Sequence, residues 1–290
     1  MLDRRHVTPQ RYPISGSSRK LWLISVVALL AAAALTAGVI IGERLDSRKP
    51  PTAALAADLA RLQTRLRAVV GVAVSAVGSE QQPIVLGDWE SGPAWSTIKV
   101  PLVIAALRER NPPEVTGAMT AAITESDNAA AESIWAGLGD PVTAARKVEA
   151  VLRGTGDPTT VQSQKLRPEF TAFGQTDWSL IHQLRFTSVA YCDSANAPIF
   201  GLMGRVEPDQ RWGIGTVPDA LFKGGWGPSP TGSYLVRQLG VLAAPNGRIA
   251  VALAAQPASG TFEDGTAALT EMATWLAAHV TELPAGNCGH

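Results

Sequence analysis

Residues 95–102 read Trp-Ser-Thr-Ile-Lys-Val-Pro-Leu and lead into an apolar, Ala-rich run that is typical of a helix. Ser96 and Lys99 are three residues apart, so a helix would place both side chains on one face of its first turn, where they can share a proton. A serine hydroxyl is a poor nucleophile at neutral pH. A lysine amine activates it only when burial or a nearby cation lowers the lysine pKa from about 10.4 toward about 7–8. We therefore predict that Ser96 is a nucleophile and that Lys99 is a partly buried general base.

Two further motifs follow in the order expected of a three-part active site. They are Ser-Asp-Asn at residues 126–128 and Lys-Gly-Gly at residues 223–225. Taken singly, each motif has a plain structural interpretation, because serine and aspartate commonly cap helices and glycines commonly form turns. Together they favour chemistry, since the chain has only four lysines beyond residue 50 and two of them fall in these motifs.

The Ser-Asp-Asn motif is expected in a short loop between two helices. The Ser126 hydroxyl can relay a proton between Lys99 and a leaving group, and the Asn128 amide can hold an acylamido group of a substrate. The alternative is that Ser126 or Asp127 only caps the helix that follows.

The Lys-Gly-Gly motif is expected at the end of a strand. Lys223 can meet a substrate carboxylate, and Gly225 allows a ligand to lie close against the strand. The backbone N–H groups of Ser96 and Trp226 would then form an oxyanion hole. The predicted substrate-binding residues are therefore Asn128, Lys223, Gly225 and Trp226.

With these three motifs the sequence resembles the serine penicillin-recognising family, meaning class A β-lactamases and low-molecular-weight DD-peptidases. The resemblance covers roughly residues 53–282. It implies acylation of Ser96 by the carbonyl of a cell-wall peptide or a β-lactam, in a cleft between a sheet and a helical lobe. The implied partner is a peptidoglycan stem peptide or a β-lactam, and no cofactor is implied.

Two departures from the family pattern bear on activity. The third motif of the family is usually Lys-Thr-Gly or Lys-Ser-Gly, so Gly224 removes a hydroxyl that would bind a substrate carboxylate, and the affinity for penicillin-like acids should be lower. Class A β-lactamases also carry a Glu-x-x-Leu-Asn stretch, whose glutamate position falls here near Leu166. The nearest acid is Glu169, which lacks the Leu-Asn and is interpreted as a surface or loop-bracing residue. Two alternatives stay open: a working β-lactamase that uses Glu169, and a catalytically inactive envelope binding module.

The hydropathy pattern predicts an α/β domain in which one mostly antiparallel sheet is flanked by N- and C-terminal helices, with an all-helical lobe inserted in the middle. The predicted helices at the two ends span residues 53–68 and 266–280. The predicted strands span residues 69–77, 83–86, 219–224, 234–244 and 247–255, and an Asn-Gly turn joins the last two.

The N-terminal residues predict export. Residues 1–20 are polar and basic, and residues 21–42 carry no charge and are long enough to cross a bilayer as one helix. We predict a cytoplasmic tail, a single-pass membrane anchor at residues 21–42, a stalk at residues 43–52 and an extracytoplasmic hydrolase domain at residues 53–290. A cleaved signal peptide is the alternative, but the apolar run exceeds the ~7–15 residues of a signal peptide's apolar region.

Net charge, histidine spacing and missing motifs argue against several other classes of protein. The formal net charge is zero, so nothing favours nucleic acid as a partner. The four histidines are scattered without metal-ligand spacing, and no Gly-x-Ser-x-Gly motif of a Ser-His-Asp esterase occurs. Cys192 and Cys288 either pair in a disulfide, as suits an exported protein, or remain two separate thiols.

Overall fold

The computed structural model of the chain describes residues 51–79 and 81–289. The predicted cytoplasmic tail, the membrane anchor and most of the stalk lie outside these residues, so those assignments stay predictions. Within the described part, none of the helices combines the length and the apolar character needed to span a membrane.

The described residues contain one antiparallel sheet of five strands in the order β2-β1-β5-β4-β3. The strands are β1 (Ala68–Ala76), β2 (Ile84–Gly87), β3 (Leu221–Pro228), β4 (Tyr234–Ala244) and β5 (Gly247–Pro257). β4 and β5 pair up to Ala244 opposite Gly247, which confirms the predicted Asn-Gly hairpin. β3 is an edge strand, so one of its sides is open to a ligand.

The helices at the two ends are α1 (Pro51–Leu66) and α8 (Phe262–Ala278). The inserted lobe consists of α2 (Lys99–Arg108), α3 (Gly117–Thr124), α4 (Asn128–Gly137), α5 (Pro141–Gly154), α6 (Leu180–Ala190) and α7 (Ala197–Met203). The predicted fold class is therefore confirmed. The terminal helices begin two and four residues earlier than predicted, which is the usual uncertainty of helix ends.

The sheet separates two apolar cores. Val70, Val72 and Val74 of β1 face the core formed with α1 and α8, whereas Ala73, between them, faces the core of the helical lobe. This follows from the period of two in a strand, which sends successive side chains to opposite faces. Both faces are covered, so β1 shows a continuous apolar run rather than an alternating one.

Two observations correct or complete the sequence-based picture. β3 runs from residue 221 to 228 rather than from 219 to 224, so the Lys-Gly-Gly motif lies inside the strand and not at its end. The start shifts because Asp219 adopts a turn conformation with φ of +56°. The question left open for Cys192 and Cys288 is answered by a disulfide between them, which ties the C-terminal residues to the end of α6.

Candidate active site

The serine motif begins in a tight turn and not in a regular helix. Residues 95–98 form a 3₁₀ turn that leads directly into α2 at Lys99. Trp95 has φ of +48°, an uncommon conformation for a bulky residue. Thr97 braces the turn, because its Oγ1 and its backbone N–H both donate to Ala94 O. The turn leaves Ser96 partly exposed and Lys99 buried.

Lys99 has its amine at the centre of a hydrogen-bonded group. The Nζ atom donates to Ser126 O at 2.5 Å and to Asn128 Oδ1 at 2.8 Å, and it lies 3.4 Å from Ser126 Oγ. Only 1% of Lys99 is exposed. Burial lowers the pKa of Lys99 to about 7, although the nearby Asp127 carboxylate opposes the shift. The predicted burial and the predicted direction of the pKa shift are both found.

The Ser-Asp-Asn motif serves two purposes at once. Asp127 caps α4, since its Oδ1 accepts a hydrogen bond of 2.7 Å from Ala130 N, as the alternative interpretation of the motif predicted. Ser126 precedes the cap with φ of +58°. Its hydroxyl and carbonyl both face the buried lysines, and Asn128, the first residue of α4, bonds Lys99.

Lys223 brings the third motif to the same point. Its Nζ donates to Ser126 Oγ at 2.8 Å and to Gly224 O at 2.9 Å, and the residue is fully buried. Burial, followed by the charge of Lys99, lowers the pKa of Lys223 well below its usual value. The Ser126 hydroxyl therefore lies between two buried amines, neither of which holds its proton as tightly as a surface lysine does.

Gly225 brings β3 into contact with the serine turn. A Cβ atom at this position would lie 2.9 Å from Ser96 N and 2.8 Å from Thr97 N, which is closer than real Cβ atoms approach backbone. Only glycine permits this contact. Trp226, the predicted second donor of the oxyanion hole, is the next residue of β3, and that role stays a prediction.

A cavity of about 380 Å³ opens beside these groups. Ser96, Asn128 and Trp226 line it, so one predicted nucleophile and two predicted binding residues face the same space. Lys99 and Lys223 connect to this cavity through the hydrogen bonds of Asn128 and Ser126. The lining also includes Glu132, Lys165, Glu169, Phe170 and Tyr234. We call this space the cleft.

Comparison with known proteins identifies the architecture. The TLA-3 extended-spectrum β-lactamase superposes with a TM-score of 0.63 at 14% identity, covering 79% of this chain and 98% of that one. A class A β-lactamase from Mycobacterium abscessus gives a TM-score of 0.60 at 16% identity, with 77% and 98% covered. A class A representative from Bacteroides cellulosilyticus gives 0.64 at 14% identity, with 81% and 99% covered.

The chain has the class A β-lactamase fold. No protein-family model matches its sequence. A search of the curated proteins also finds no match. The likeness is therefore one of fold, and the predicted roles of the site residues rest on the geometry of this chain.

Within this class A β-lactamase fold, Glu169 lines the cleft and forms an exposed ion pair. Its side chain is 57% exposed and pairs with Arg167, whose Nη2 lies 3.0 Å from Glu169 Oε1. A backbone hydrogen bond and the Arg167 side chain lower the pKa of Glu169 below its usual value. A carboxylate with a lowered pKa is a poorer base, which agrees with the interpretation of Glu169 as a loop-bracing acid.

The position of the missing hydroxyl is occupied by an aromatic ring. A Cβ atom at Gly224 would lie 3.0 Å from Cη2 of Trp212, so a larger side chain here would meet the indole. Trp212 packs against Trp226 with ring centroids 5.8 Å apart, and both contact Phe262. These three aromatic residues pack against the core that α1 and α8 form with the sheet, and of the three only Trp226 lines the cleft.

Sequence reasoning missed two features of the cleft. One is the aromatic group around Trp212, which comes from three segments far apart in the chain. The other is the ion pair of Glu132 and Lys165, with Nζ 3.3 Å from Oε1. Glu132 could have been predicted from the sequence, because it lies four residues after Asn128 and hence on the same face of α4.

Within residues 51–79 and 81–289, no cluster of histidine, cysteine and acidic residues fits a metal ion.

Proposed function

We propose that the protein is an exported, membrane-anchored serine acyl-transfer hydrolase of the penicillin-binding and β-lactamase type, which acts on or binds cell-wall peptide or β-lactams. The observation that carries this proposal is the Ser126 hydroxyl held between the buried amines of Lys99 and Lys223, next to the cleft that Ser96 lines. Burying two amines costs folding free energy, and buried groups with shifted pKa values are concentrated at functional sites.

The proposed mechanism begins with proton transfer from the Ser96 hydroxyl. With a pKa of about 7, Lys99 is about half neutral at that pH and largely neutral above it, and the neutral amine can accept this proton. The Ser96 oxygen attacks the substrate carbonyl, and the developing oxyanion is bound by the N–H groups of Ser96 and Trp226. The proton then passes through Ser126, whose hydroxyl Lys223 orients, to the leaving group.

Labelling with a fluorescent penicillin tests this proposal. The wild-type chain should acquire the label, Ser96→Ala should not, and Ser133→Ala should label like the wild type because Ser133 is exposed on α4, away from the cleft. Intact-mass spectrometry of the labelled chain then separates a persistent acyl-enzyme from one that turns over. A wild type that stays unlabelled, or a labelled Ser96→Ala variant, contradicts the proposal.

An inactive binding module of the same fold is the second candidate, and one observation favours it. In the described part of the chain, the Lys99 amine bonds Ser126 and Asn128, and no hydrogen bond joins it to the Ser96 hydroxyl. Such bonds often tighten only when substrate is present. If a cellular phenotype of the deletion is rescued equally well by Ser96→Ala, the binding module is the better account.

The membrane anchor is supported by the uncharged stretch at residues 21–42. The full-length chain should stay with the membrane fraction after alkaline extraction. Recovery of a shortened chain, whose N-terminus lies beyond this stretch, would instead indicate a cleaved signal peptide.

A further inference from the structure

A second cavity of about 450 Å³ shares a wall with the cleft. Trp95, Gly227 and Pro228 line both spaces. The exposed surface of the second cavity is mainly apolar and comes largely from Trp89, Pro93, Leu166, Pro230 and Leu235. Its lining also includes the polar residues Ser91, Arg167, Gln175, Ser229, Ser233 and Gln256. Its volume falls within the range of about 300–1,000 Å³ that is common for small-molecule sites. We call it the apolar cavity.

The direction of β3 indicates on which side of a bound substrate, the acyl side or the leaving-group side, the apolar cavity lies. Lys223, near the start of the strand, bonds Ser126, the proposed proton donor to the leaving group. Pro228 ends the strand five residues later, roughly 17 Å away at about 3.3 Å per residue. Because the oxyanion hole at Trp226 lies between them, the leaving group lies toward Lys223 and the acyl group lies toward Pro228. The apolar cavity is therefore on the acyl side.

Arg167 closes part of the wall between the two spaces. Arg167 Nη1 donates to Pro228 O at 2.5 Å, and its guanidinium lies 4.3 Å from the centroid of the Phe170 ring. Arg167 lines the apolar cavity, whereas Glu169 and Phe170 line the cleft. The ion pair of Arg167 with Glu169 is partly exposed, because the Glu169 side chain is 57% and the Arg167 side chain 28% accessible. A substrate group that passes from the cleft into the apolar cavity must displace Arg167 from Pro228 O and from the Phe170 ring.

Leu166 provides an independent observation at the same place. Its side chain is 66% exposed although it lines an apolar cavity. Neighbouring Arg167 closes the loop against β3, so the backbone holds Leu166 at this position. An exposed leucine beside an apolar cavity is suited to cover a hydrocarbon group that enters from the cleft.

We propose that the apolar cavity binds an aliphatic chain on the acyl side of the substrate, so that the preferred substrates are acyl compounds with a hydrocarbon chain of medium length. This inference rests on the proposed function, because Ser96 must first be acylated. The Ser96 oxygen bonds to the carbonyl carbon, and the leaving group departs with the proton relayed through Ser126. Water then cleaves the acyl-enzyme, which releases the carboxylic acid and restores the Ser96 hydroxyl. Such substrates need no carboxylate site, in agreement with the indole of Trp212 beside Gly224.

The first experiment measures chain-length preference in the full-length chain. p-Nitrophenyl acetate, butyrate, hexanoate and octanoate share one leaving group, so only the acyl side varies. Each methylene that is buried should raise kcat/KM about fourfold. The hexanoate should therefore exceed the acetate on the order of 100-fold. Both p-nitrophenol release and the mass of the acylated chain are recorded, so a stalled acyl-enzyme still reports the preference.

Two variants test whether the preference for longer acyl chains arises at the apolar cavity. Leu166→Asp places a charge beside the apolar cavity and should lower the ratio of hexanoate to acetate turnover by about tenfold or more. Val142→Asp is the matched control, since Val142 is an exposed apolar residue on α5 outside the lining of both spaces, and it should leave the ratio unchanged.

The outcomes separate this inference from the proposed function. If acylation depends on Ser96 but has the same rate for all four esters, the inference is overturned and the proposed function stands. The same conclusion follows if the ratio of hexanoate to acetate turnover is equal in the wild type and in Leu166→Asp. Absence of acylation by every ester also overturns the inference, and penicillin labelling of Ser96 decides the proposed function by itself. Ester hydrolysis that persists in Ser96→Ala overturns both.

Discussion

Two regions of the cleft differ in how tightly their charged groups are held. At the buried end, Lys99, Ser126 and Lys223 share one hydrogen-bonded group, and burial lowers the pKa of both amines. At the exposed end, Glu169 pairs with Arg167 on a loop, and its pKa moves away from the range of a general base. The first region has the features of an acid–base device, and the second has those of a surface ion pair.

This difference bears on the two halves of an acyl transfer. In the proposed mechanism the buried group removes a proton from Ser96 and delivers one to a leaving group, which is what acylation needs. Deacylation needs a base that activates water, and Glu169 is a poor candidate for that role. We therefore expect acylation that depends strongly on the buried group and deacylation that depends little on Glu169. The following predictions test this contrast in order of decreasing effect.

The largest effect is expected for Lys99→Met, which removes the proposed base and keeps an unbranched side chain that is one atom shorter. The rate of acylation by a fluorescent penicillin should fall about 10²–10⁴-fold, the usual contribution of a general base. Lys147→Met is the control, because Lys147 pairs with Glu109 on the surface and should acylate like the wild type. Circular dichroism of both variants checks that they are folded. An acylation rate within about threefold of the wild type would remove Lys99 from the mechanism.

The change of the acylation rate with pH should be intermediate in size. The pKa of Lys99 is lowered to about 7, and the amine acts as a base only when it is neutral. The rate should therefore rise with pH, by about tenfold between pH 6 and pH 8, and then level off. Stopped-flow labelling across this range measures it. A rate that stays constant from pH 6 to pH 9, or falls, would mean that a group other than Lys99 accepts the proton.

The smallest effect is expected for Glu169→Gln. Its carboxylate is exposed and paired, so the rate of deacylation should change by less than about twofold. Decay of the acyl-enzyme mass with time measures this rate, and Glu263→Gln, an exposed acid in the first turn of α8, is the control. A loss of nitrocefin turnover of tenfold or more in Glu169→Gln alone would favour the alternative of a β-lactamase that uses this residue.

Most of the fold was predictable because local patterns and tertiary packing agree. The leucines at helical spacing in α1 and the Asn-Gly turn between β4 and β5 predicted elements that the structure contains. β3 was predicted too short because glycines weaken a strand locally. In the tertiary structure they are needed, since Gly225 contacts the backbone of the serine turn.

The candidate site was predictable only in part. The three motifs named Ser96, Lys99, Ser126 and Lys223, because their chemistry is carried by residue type and order along the chain. The Trp212 indole beside Gly224 was not predictable, since it lies twelve residues earlier, immediately before a separate 3₁₀ segment. The apolar cavity likewise combines residues from four separated segments, and no single stretch of sequence indicates it.

The sequence by itself determined the α/β class, the three motifs and the types of side chain that they supply, because hydropathy period and residue chemistry are local properties. Only the tertiary structure decided that the two lysines meet on one serine hydroxyl, that Glu169 forms an ion pair with Arg167, and that Cys192 bonds Cys288. A pKa depends on burial and on neighbouring charges, and a hydrogen bond depends on distances of about 3 Å. Both are fixed by packing between segments that are remote in the chain.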